Sequence, residues 1–132
     1  MRKIILDTNF LLIPIQFKVD IFSEIDRICK FPYKIFAYSQ TINELKRIME
    51  SKSKKDKKAA SFALKLMTLK NIGIIKNSEN KIVDSIILEN LDKSMIVATL
   101  DKDLKKKLVE KKVDVIFLRQ KKYLELIKKF EF

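Results

Sequence analysis

Short apolar runs alternate with longer amphipathic segments along this chain of 132 residues, and that alternation limits the fold more than any other feature of the sequence. The short runs have the length of buried strands, and the longer segments have the periodicity of helices. Consecutive parallel strands need a crossover connection, which is most often a helix. The pattern therefore predicts an α/β fold, a three-layer sandwich around a central, mainly parallel sheet of four or five strands.

Five strands and seven helical segments are predicted, and all residues from 1 to 132 are expected to form one domain. The strands are Lys3–Leu6, Lys34–Tyr38, Ile72–Ile75, Met95–Ala98 and Val113–Leu118. The helices are residues 9–15, ending at Pro14, residues 20–30, Gln40–Met49, a segment around Ala59–Met67, a segment from Asn77 or Ser78 to Leu91, Lys102–Lys111 and Tyr123–Phe130. The lysine-rich residues 51–58 are either a loop or the start of the fourth helix.

Three residue types that carry much of enzyme chemistry are scarce or absent. Without histidine, the chain can form no Ser-His-Asp or Cys-His catalytic site and no histidine-bound zinc site. Its one cysteine, Cys29, excludes an internal disulfide, and its one glycine, Gly73, excludes the glycine-rich loops that hold phosphates. Any chemistry must therefore come mainly from carboxylates, hydroxyls, amides and lysines.

Positive charge is concentrated in three segments. The formal net charge is +12, and residues 45–60, 102–112 and 119–129 contribute +5, +4 and +4. A concentrated basic surface is typical of nucleic-acid binding, because neutralising phosphates releases counterions. Solvated helix faces of a lysine-rich chain are the alternative. No apolar run approaches the roughly 18 residues of a membrane span, and we expect a cytoplasmic protein without a membrane partner.

Four acidic residues are predicted at or just past the carboxyl ends of four strands, the edge at which parallel α/β sheets bind ligands. These four acids are Asp7 after the first strand, Glu44 one helical turn past the second, Asp84 in the first turns of the helix after the third, and Asp101 after the fourth. Three of them have structural alternatives. Asp7 and Asp101 suit helix N-caps, and Glu44 forms a capping-box pattern with Thr41.

Asp84 is the acid that a structural role explains least well. On a helical wheel it lies within about 40° of Leu88 and about 20° of Leu91, so it falls inside the apolar stripe. Burying a lone carboxylate costs several kcal/mol unless it is paired or binds a cation. Arg27 or Lys81 could supply a structural partner, whereas a metal shared with the other acids explains more of the pattern.

A bound Mg²⁺ or Mn²⁺ would give the four acids a common purpose. Converging carboxylates repel one another and repel phosphate, and a hard divalent cation reverses both effects. Such a cation polarises a phosphoryl oxygen and lowers the pKa of a bound water, which replaces the missing histidine base. A negative site surrounded by basic segments is what a metal-dependent nuclease needs.

Four sequence pieces, in order and spread over almost the whole chain, resemble the PIN-domain ribonuclease family. They are Ile5–Asn9 (ILDTN), Thr41–Leu45 (TINEL), Val83–Ile87 (VDSII) and Val97–Leu104 (VATLDKDL). The tail Val115–Leu126 is similar to archaeal relatives of the small-subunit ribosomal-RNA-processing PIN proteins. The toxin branch of the family shares the acids.

The resemblance implies a parallel sheet with helices on both faces and Mg²⁺- or Mn²⁺-dependent hydrolysis of single-stranded RNA. It makes the four acids catalytic and metal-binding, adds Asp103 as a secondary metal-binding acid, and assigns hydrogen-bonding support to Thr8, Asn9 and Thr99. The family often has a second acid beside the third one, whereas here Val83 and Ser85 flank Asp84, so the number of metal ions stays open.

We therefore predict an endoribonuclease that acts in ribosomal RNA processing, with pre-rRNA as its substrate. The alternatives are a toxin-type ribonuclease of a toxin–antitoxin pair and a catalytically silent RNA-binding assembly factor. A second copy of the chain or ribosome-assembly proteins are the protein partners left open. Twelve basic residues would guide the RNA backbone without reading its sequence: Lys46, Arg47, Lys52, Lys54, Lys55, Lys57, Lys58, Lys105, Lys106, Arg119, Lys121 and Lys122.

Overall fold

A computed structural model describes residues 1–77 and 80–128. The strands in these residues are β1 Arg2–Leu6, β2 Tyr33–Tyr38, β3 Gly73–Ile75, β4 Met95–Ala98, β5 Asp114–Arg119 and β6 Tyr123–Ile127. The α-helices are α1 Ile13–Phe17, α2 Ile21–Ile28, α3 Ser39–Met49, α4 Lys54–Leu69, α5 Val83–Glu89 and α6 Lys102–Glu110, and a 3-10 helix covers Thr8–Leu12.

The strands form one sheet in the order β3-β2-β1-β4-β5-β6. The first five in this order run parallel, and β6 pairs antiparallel with β5. The register pairs Ile5 with Phe36 on one side of β1 and with Val97 on the other. The carboxyl ends of β1, β4 and β5 therefore lie at one edge of the sheet, which we call the carboxyl edge.

Two hydrophobic cores lie on opposite faces of this sheet. Ile4 and Leu6 of β1 pack into the core formed with the 3-10 helix and α1 to α4, whereas Ile5 packs into the core formed with α5 and α6. Because successive side chains of a strand point to opposite faces, a strand buried on both sides reads as an unbroken apolar run. The predicted three-layer, mainly parallel α/β sandwich is confirmed, with six strands in residues 1–77 and 80–128 rather than four or five.

The predicted last helix, Tyr123–Phe130, is wrong within the described residues, because the chain turns back as β6. Gln120 and Lys121 both have positive φ, 53° and 57°, and the Lys122 N–H donates to the Arg119 carbonyl oxygen at 3.0 Å. Two central residues with positive φ form the tight turn whose twist suits an antiparallel hairpin. Neither residue is the asparagine or glycine that usually marks such a turn, so this signal was missing from the sequence.

A side-chain pair on α2 helps to hold β6 in place. Glu24 Oε1 accepts a hydrogen bond from the Leu124 N–H at 2.9 Å, and Arg27 donates to the Leu124 carbonyl oxygen at 3.0 Å. These two contacts satisfy backbone groups that face away from β5. Arg27 also forms an ion pair with Glu24. These contacts of Arg27 thus lie between α2 and the outer edge of β6.

The helix that carries Asp84 begins later than predicted. α5 starts at Val83, not at Asn77, and ends at Glu89 before Leu91; Ser78 lies outside the described residues. Asn77 Oδ1 accepts hydrogen bonds from Ser39 Oγ at 2.7 Å and from the Gln40 N–H at 3.0 Å. Asn77 therefore contacts the first residues of α3 instead of capping α5.

The sequence predicts a helix that ends at Pro14. In the structure Pro14 instead lies in the first turn of α1. Proline is tolerated there because the first N–H groups of a helix have no partner within the helix. Among the residues that the structure describes, none of the helices combines the length and apolar content that crossing a membrane requires. That residues 1–132 form a single domain stays a prediction.

Replacing Gln120 with Asn and Lys121 with Gly should raise the free energy of unfolding by about 1 kcal/mol. Both new residues adopt positive φ at lower cost than the side chains they replace. Urea denaturation followed by circular dichroism measures the change. Gln120→Val is the control, and it should lower the free energy of unfolding because a β-branched residue is disfavoured at positive φ. An unchanged midpoint for both variants would contradict the turn geometry.

Candidate active site at the carboxyl edge

The four acids all lie at or near the carboxyl edge. Asp7 directly follows β1, Asp101 precedes α6 after β4, Glu44 lies on α3, and Asp84 lies in the first turn of α5. Their charges influence one another: Asp84 and Glu44 raise the pKa of Asp7, and Asp101 and Glu44 raise that of Asp84. The fold thus brings together the residues that the sequence places after different strands.

Asp7 is the most buried of the four acids, with only 3% of its surface exposed. Its Oδ1 accepts a hydrogen bond from the Thr8 N–H at 2.9 Å, and its Oδ2 accepts one from Thr99 Oγ1 at 2.8 Å. Burial, followed by the charge of Asp84, raises its pKa to about 7, although the two hydrogen bonds oppose that shift. A metal-free Asp7 therefore resists ionisation.

Asp84 is half-buried and interacts with both Asp7 and Asp101. Burial is the largest cause of its raised pKa, followed by the charge of Asp101 and a hydrogen bond shared with that carboxyl group. A hydrogen bond with Asp7 acts in the opposite direction. The sequence suggested Lys81 and Arg27 as structural partners of Asp84. In the structure Lys81 donates to Glu89 at 2.8 Å, and Arg27 forms an ion pair with Glu24.

Asp101 is the N-cap residue of α6 and also one of the four acids at the carboxyl edge. Its Oδ1 accepts hydrogen bonds from the N–H groups of Asp103 at 2.8 Å and of Leu104 at 3.1 Å, which satisfies the start of α6. Its own N–H donates to Thr99 Oγ1 at 3.0 Å. Thr99, which is 1% exposed, thereby links Asp7 to Asp101 through one hydroxyl group.

Glu44 makes contacts that the sequence did not indicate. Its Oε1 accepts a hydrogen bond from Thr8 Oγ1 at 2.5 Å, and its Oε2 accepts one from the Val83 N–H at 3.0 Å. Thr41 lies inside α3, so the capping box is wrong, and its hydroxyl lies 3.2 Å from Thr8 Oγ1. Sequence reasoning missed the contact of Thr41 with Thr8 and that of Glu44 with the Val83 N–H, because both join separate elements.

The other predicted site residues differ in burial. The side chains of Asn9 and Asp103 are exposed, whereas Thr8 and Thr99 are buried among the acids. The roles of all these residues stay predictions.

The carboxylates of the four acids are suitable ligands for a hard cation, although the structure does not arrange them as a complete coordination site. Within residues 1–77 and 80–128, no three His, Cys, Asp or Glu side chains form a ready-made metal site. Several of the carboxylate oxygens already accept hydrogen bonds from the protein, and the acids repel one another. Carboxylate oxygens are nonetheless the donors that Mg²⁺ and Mn²⁺ prefer, and a divalent cation would relieve this repulsion. The residues therefore fit such an ion chemically.

Some of the predicted RNA-binding residues share the carboxyl edge with the acids. Arg119, Lys121 and Lys122 lie at the β5–β6 turn, which follows the carboxyl end of β5. Lys105 and Lys106 lie in the first half of α6, where the Lys105 ammonium group is 3.7 Å from the centre of the Phe117 ring. The other candidates are exposed on the end of α3, the following loop and the first turns of α4: Lys46, Arg47, Lys52, Lys54, Lys55, Lys57 and Lys58.

The acids at the carboxyl edge of this mainly parallel sheet form a candidate carboxylate-based site in an α/β protein. A family model described as a PIN-like domain matches residues 4–121. "Ribonuclease VapC4" of Methanocaldococcus jannaschii is 35% identical over 127 residues, which cover 96% of this chain and 97% of that protein. The chain therefore belongs to the PIN-domain family, as its sequence pieces predicted.

Solved structures share this fold. The PIN domain endonuclease Utp24 superposes with a TM-score of 0.79 at 18% identity, over 96% of this chain and 91% of that chain. A domain of a functionally unknown protein from Methanocaldococcus jannaschii superposes with a TM-score of 0.53 at 14% identity, over 90% and 92% of the two chains. At these identities the likeness concerns the fold alone.

Proposed function

We propose that this protein is a metal-dependent endoribonuclease of the toxin type. The observation that carries the proposal is the group of acids at the carboxyl edge, in which the hydroxyl group of Thr99 contacts both buried Asp7 and Asp101. A full-length relative that is named a ribonuclease supports RNA as the substrate. A cytoplasmic location stays a prediction.

Within this proposal, Asp7, Asp84 and Asp101 are the residues that would hold Mg²⁺ or Mn²⁺, because the carboxyl group of Asp84 forms a hydrogen bond with each of the other two. The bound ion would polarise a phosphate oxygen and lower the pKa of a water. Thr99 keeps Asp7 and Asp101 in place through its hydroxyl group. The exposed lysines and arginines hold the RNA phosphates, which positions the backbone beside the acids.

Removal of divalent cations should abolish RNA cleavage, and Mn²⁺ or Mg²⁺ should restore it. The products should carry a 5′-phosphate and a 3′-hydroxyl, since the proposed nucleophile is water rather than the 2′-hydroxyl of the RNA. Denaturing gel electrophoresis of a 5′-labelled single-stranded RNA, followed by end-group analysis, measures both outcomes. Undiminished cleavage in excess EDTA would rule out the metal mechanism. Absence of cleavage with either ion would favour the silent assembly factor.

The toxin-type function is favoured over ribosomal RNA processing, which the sequence alone predicts. The support comes from the relative named as a VapC ribonuclease, which matches this chain over almost its full length. Growth after overexpression separates the two. Arrest that a small neighbouring gene relieves indicates a toxin with an antitoxin partner, whereas normal growth together with altered ribosomal RNA ends indicates a processing factor.

Glutamine in place of Lys121 and Lys122 should weaken RNA binding and reduce its dependence on salt. Log affinity falls as log salt rises, and two lost phosphate contacts reduce the magnitude of that negative slope by about 1.4 for single-stranded RNA. Fluorescence anisotropy at several salt concentrations measures the slope. Glutamine at Lys30 and Lys34 is the matched control, because these residues lie before and at the amino end of β2, at the opposite edge. Equal slopes for both variants would contradict the proposed path.

A further inference from the structure

The carboxylate of Glu44 joins three different elements of the fold. Thr8, which donates to Oε1, belongs to the 3-10 helix after β1, and Val83, which donates to Oε2, is the first residue of α5. Glu44 itself lies on α3. The N–H and hydroxyl groups that donate to Asp7 and Asp101, in contrast, belong to the segments that follow β1 and β4. Glu44 is thus placed to connect elements.

The start of α5 depends on this contact. α5 is seven residues long, and its N-cap residue, Ile82, makes no side-chain hydrogen bond to the first turn. The first N–H groups of a helix have no partner within the helix. Because Val83 is 1% exposed, loss of Glu44 would leave its N–H buried without this acceptor. Asp84 is the next residue, so its position follows from where α5 begins.

Two buried hydroxyl groups support the other end of the contact. Thr8 is 4% exposed and Thr41 is fully buried, and their hydroxyl oxygens lie 3.2 Å apart. Thr8 Oγ1 also donates to Glu44, at the short distance expected for a hydroxyl bound to a carboxylate. The hydroxyl groups of Thr8 and Thr41 therefore restrict where the Glu44 side chain can lie.

We propose that Thr8, Thr41 and Glu44 form a clamp that sets the start of α5 and thereby the position of Asp84 beside Asp7 and Asp101. In this clamp Glu44 acts on Asp84 as a positioning residue. The inference rests on the proposed function only in so far as Asp84 is there a residue that holds the cation.

Variants of Thr8 test the clamp without changing any charge. Thr8→Val removes the hydroxyl group at nearly constant shape, Thr8→Ser keeps it, and Thr68→Val changes an exposed threonine at the end of α4 as a control. Two quantities are measured for each variant. The first is the rate of hydrogen exchange of the Val83 amide in metal-free protein, and the second is the affinity for Mn²⁺ by calorimetry. Thr8→Val should speed the exchange at least about tenfold and weaken Mn²⁺ binding about tenfold. The other two variants should stay within about twofold of wild type.

Variants of Glu44 distinguish positioning from ligation. In Glu44→Gln the amide oxygen can accept from the Val83 N–H while the amide nitrogen donates to Thr8 Oγ1, so exchange at Val83 should stay slow. Glu44→Ala should make that exchange fast and should bind Mn²⁺ at least about tenfold more weakly than Glu44→Gln.

Two results would overturn the clamp. One is a Thr8→Val protein that equals wild type in both measurements. The other is an equal loss of Mn²⁺ affinity in both Glu44 variants with unchanged exchange at Val83, which would make Glu44 a ligand through its charge. Hydrogen exchange needs neither metal nor RNA. A wild-type chain that cleaves no RNA would therefore overturn the proposed function while the exchange measurements still decide on the clamp.

Discussion

Asparagine in place of Asp84 is expected to lower the rate of RNA cleavage at least about 10³-fold and to leave RNA affinity within about twofold of wild type. The substitution keeps the size of the side chain and removes one negative charge from the group formed with Asp7 and Asp101. RNA affinity should survive because it comes from the exposed basic residues. Single-turnover cleavage and fluorescence anisotropy measure the two quantities separately.

The matched control for this variant is Asp26→Asn. Asp26 is exposed on α2, and an amide oxygen can still accept the hydrogen bond that Tyr33 donates to Asp26. The control should cleave RNA at the wild-type rate. Loss of a metal-binding charge also predicts that Mn²⁺ no longer protects Asp84→Asn against thermal unfolding. Wild-type cleavage by Asp84→Asn would remove that residue from the mechanism.

Asparagine in place of Asp7 is expected to stabilise the metal-free protein at pH 8. The pKa of Asp7 is raised from 3.8 to about 7 by burial and by the charge of Asp84. Native Asp7 therefore keeps its proton between these values while the unfolded chain loses it, so stability falls as the pH rises from about 4 to about 7. The full shift corresponds to roughly 4 kcal/mol at most, and Asp7→Asn should recover most of it at pH 8.

Urea denaturation in EDTA at pH 4.5 and pH 8 checks this expectation. The free energy of unfolding of wild type should be lower at pH 8 than at pH 4.5. Asp7→Asn should show a much smaller decrease between these two pH values. Added Mn²⁺ should raise the stability of wild type at pH 8 and leave the variant unchanged, because binding to the native state alone stabilises it. A variant less stable than wild type at pH 8 in EDTA would contradict the electrostatic account of the site.

Much of the fold is predictable because it follows from local patterns. The buried strand ending at Leu6 and the strand Met95–Ala98 appear in the sequence as apolar runs that end near polar residues. The sixth strand was missed because Gln120 and Lys121 adopt positive φ without the residues that usually announce it. Its alternation of buried Leu124 with the more accessible Glu125 was the weaker signal that could have identified it.

The acids were found from their positions after strands, whereas their contacts depend on the packing of separate elements. The T-x-x-E pattern of Thr41 and Glu44 suggested a local cap, yet α3 begins at Ser39, two residues before Thr41. The hydroxyl of Thr41 instead meets Thr8, which is 33 residues away in the chain. Contacts of this kind have no signature in the local sequence, since they follow from how β1, α3 and α5 pack together.

A crystal structure of wild-type protein soaked in Mn²⁺ tests the central claim most directly. The anomalous signal of the metal locates it independently of the surrounding protein atoms. The account predicts a peak within coordinating distance of the carboxylates of Asp7, Asp84 and Asp101, and no peak there in Asp84→Asn crystals treated in the same way. An actively cleaving protein whose crystals show Mn²⁺ elsewhere, or no bound Mn²⁺, would contradict the account.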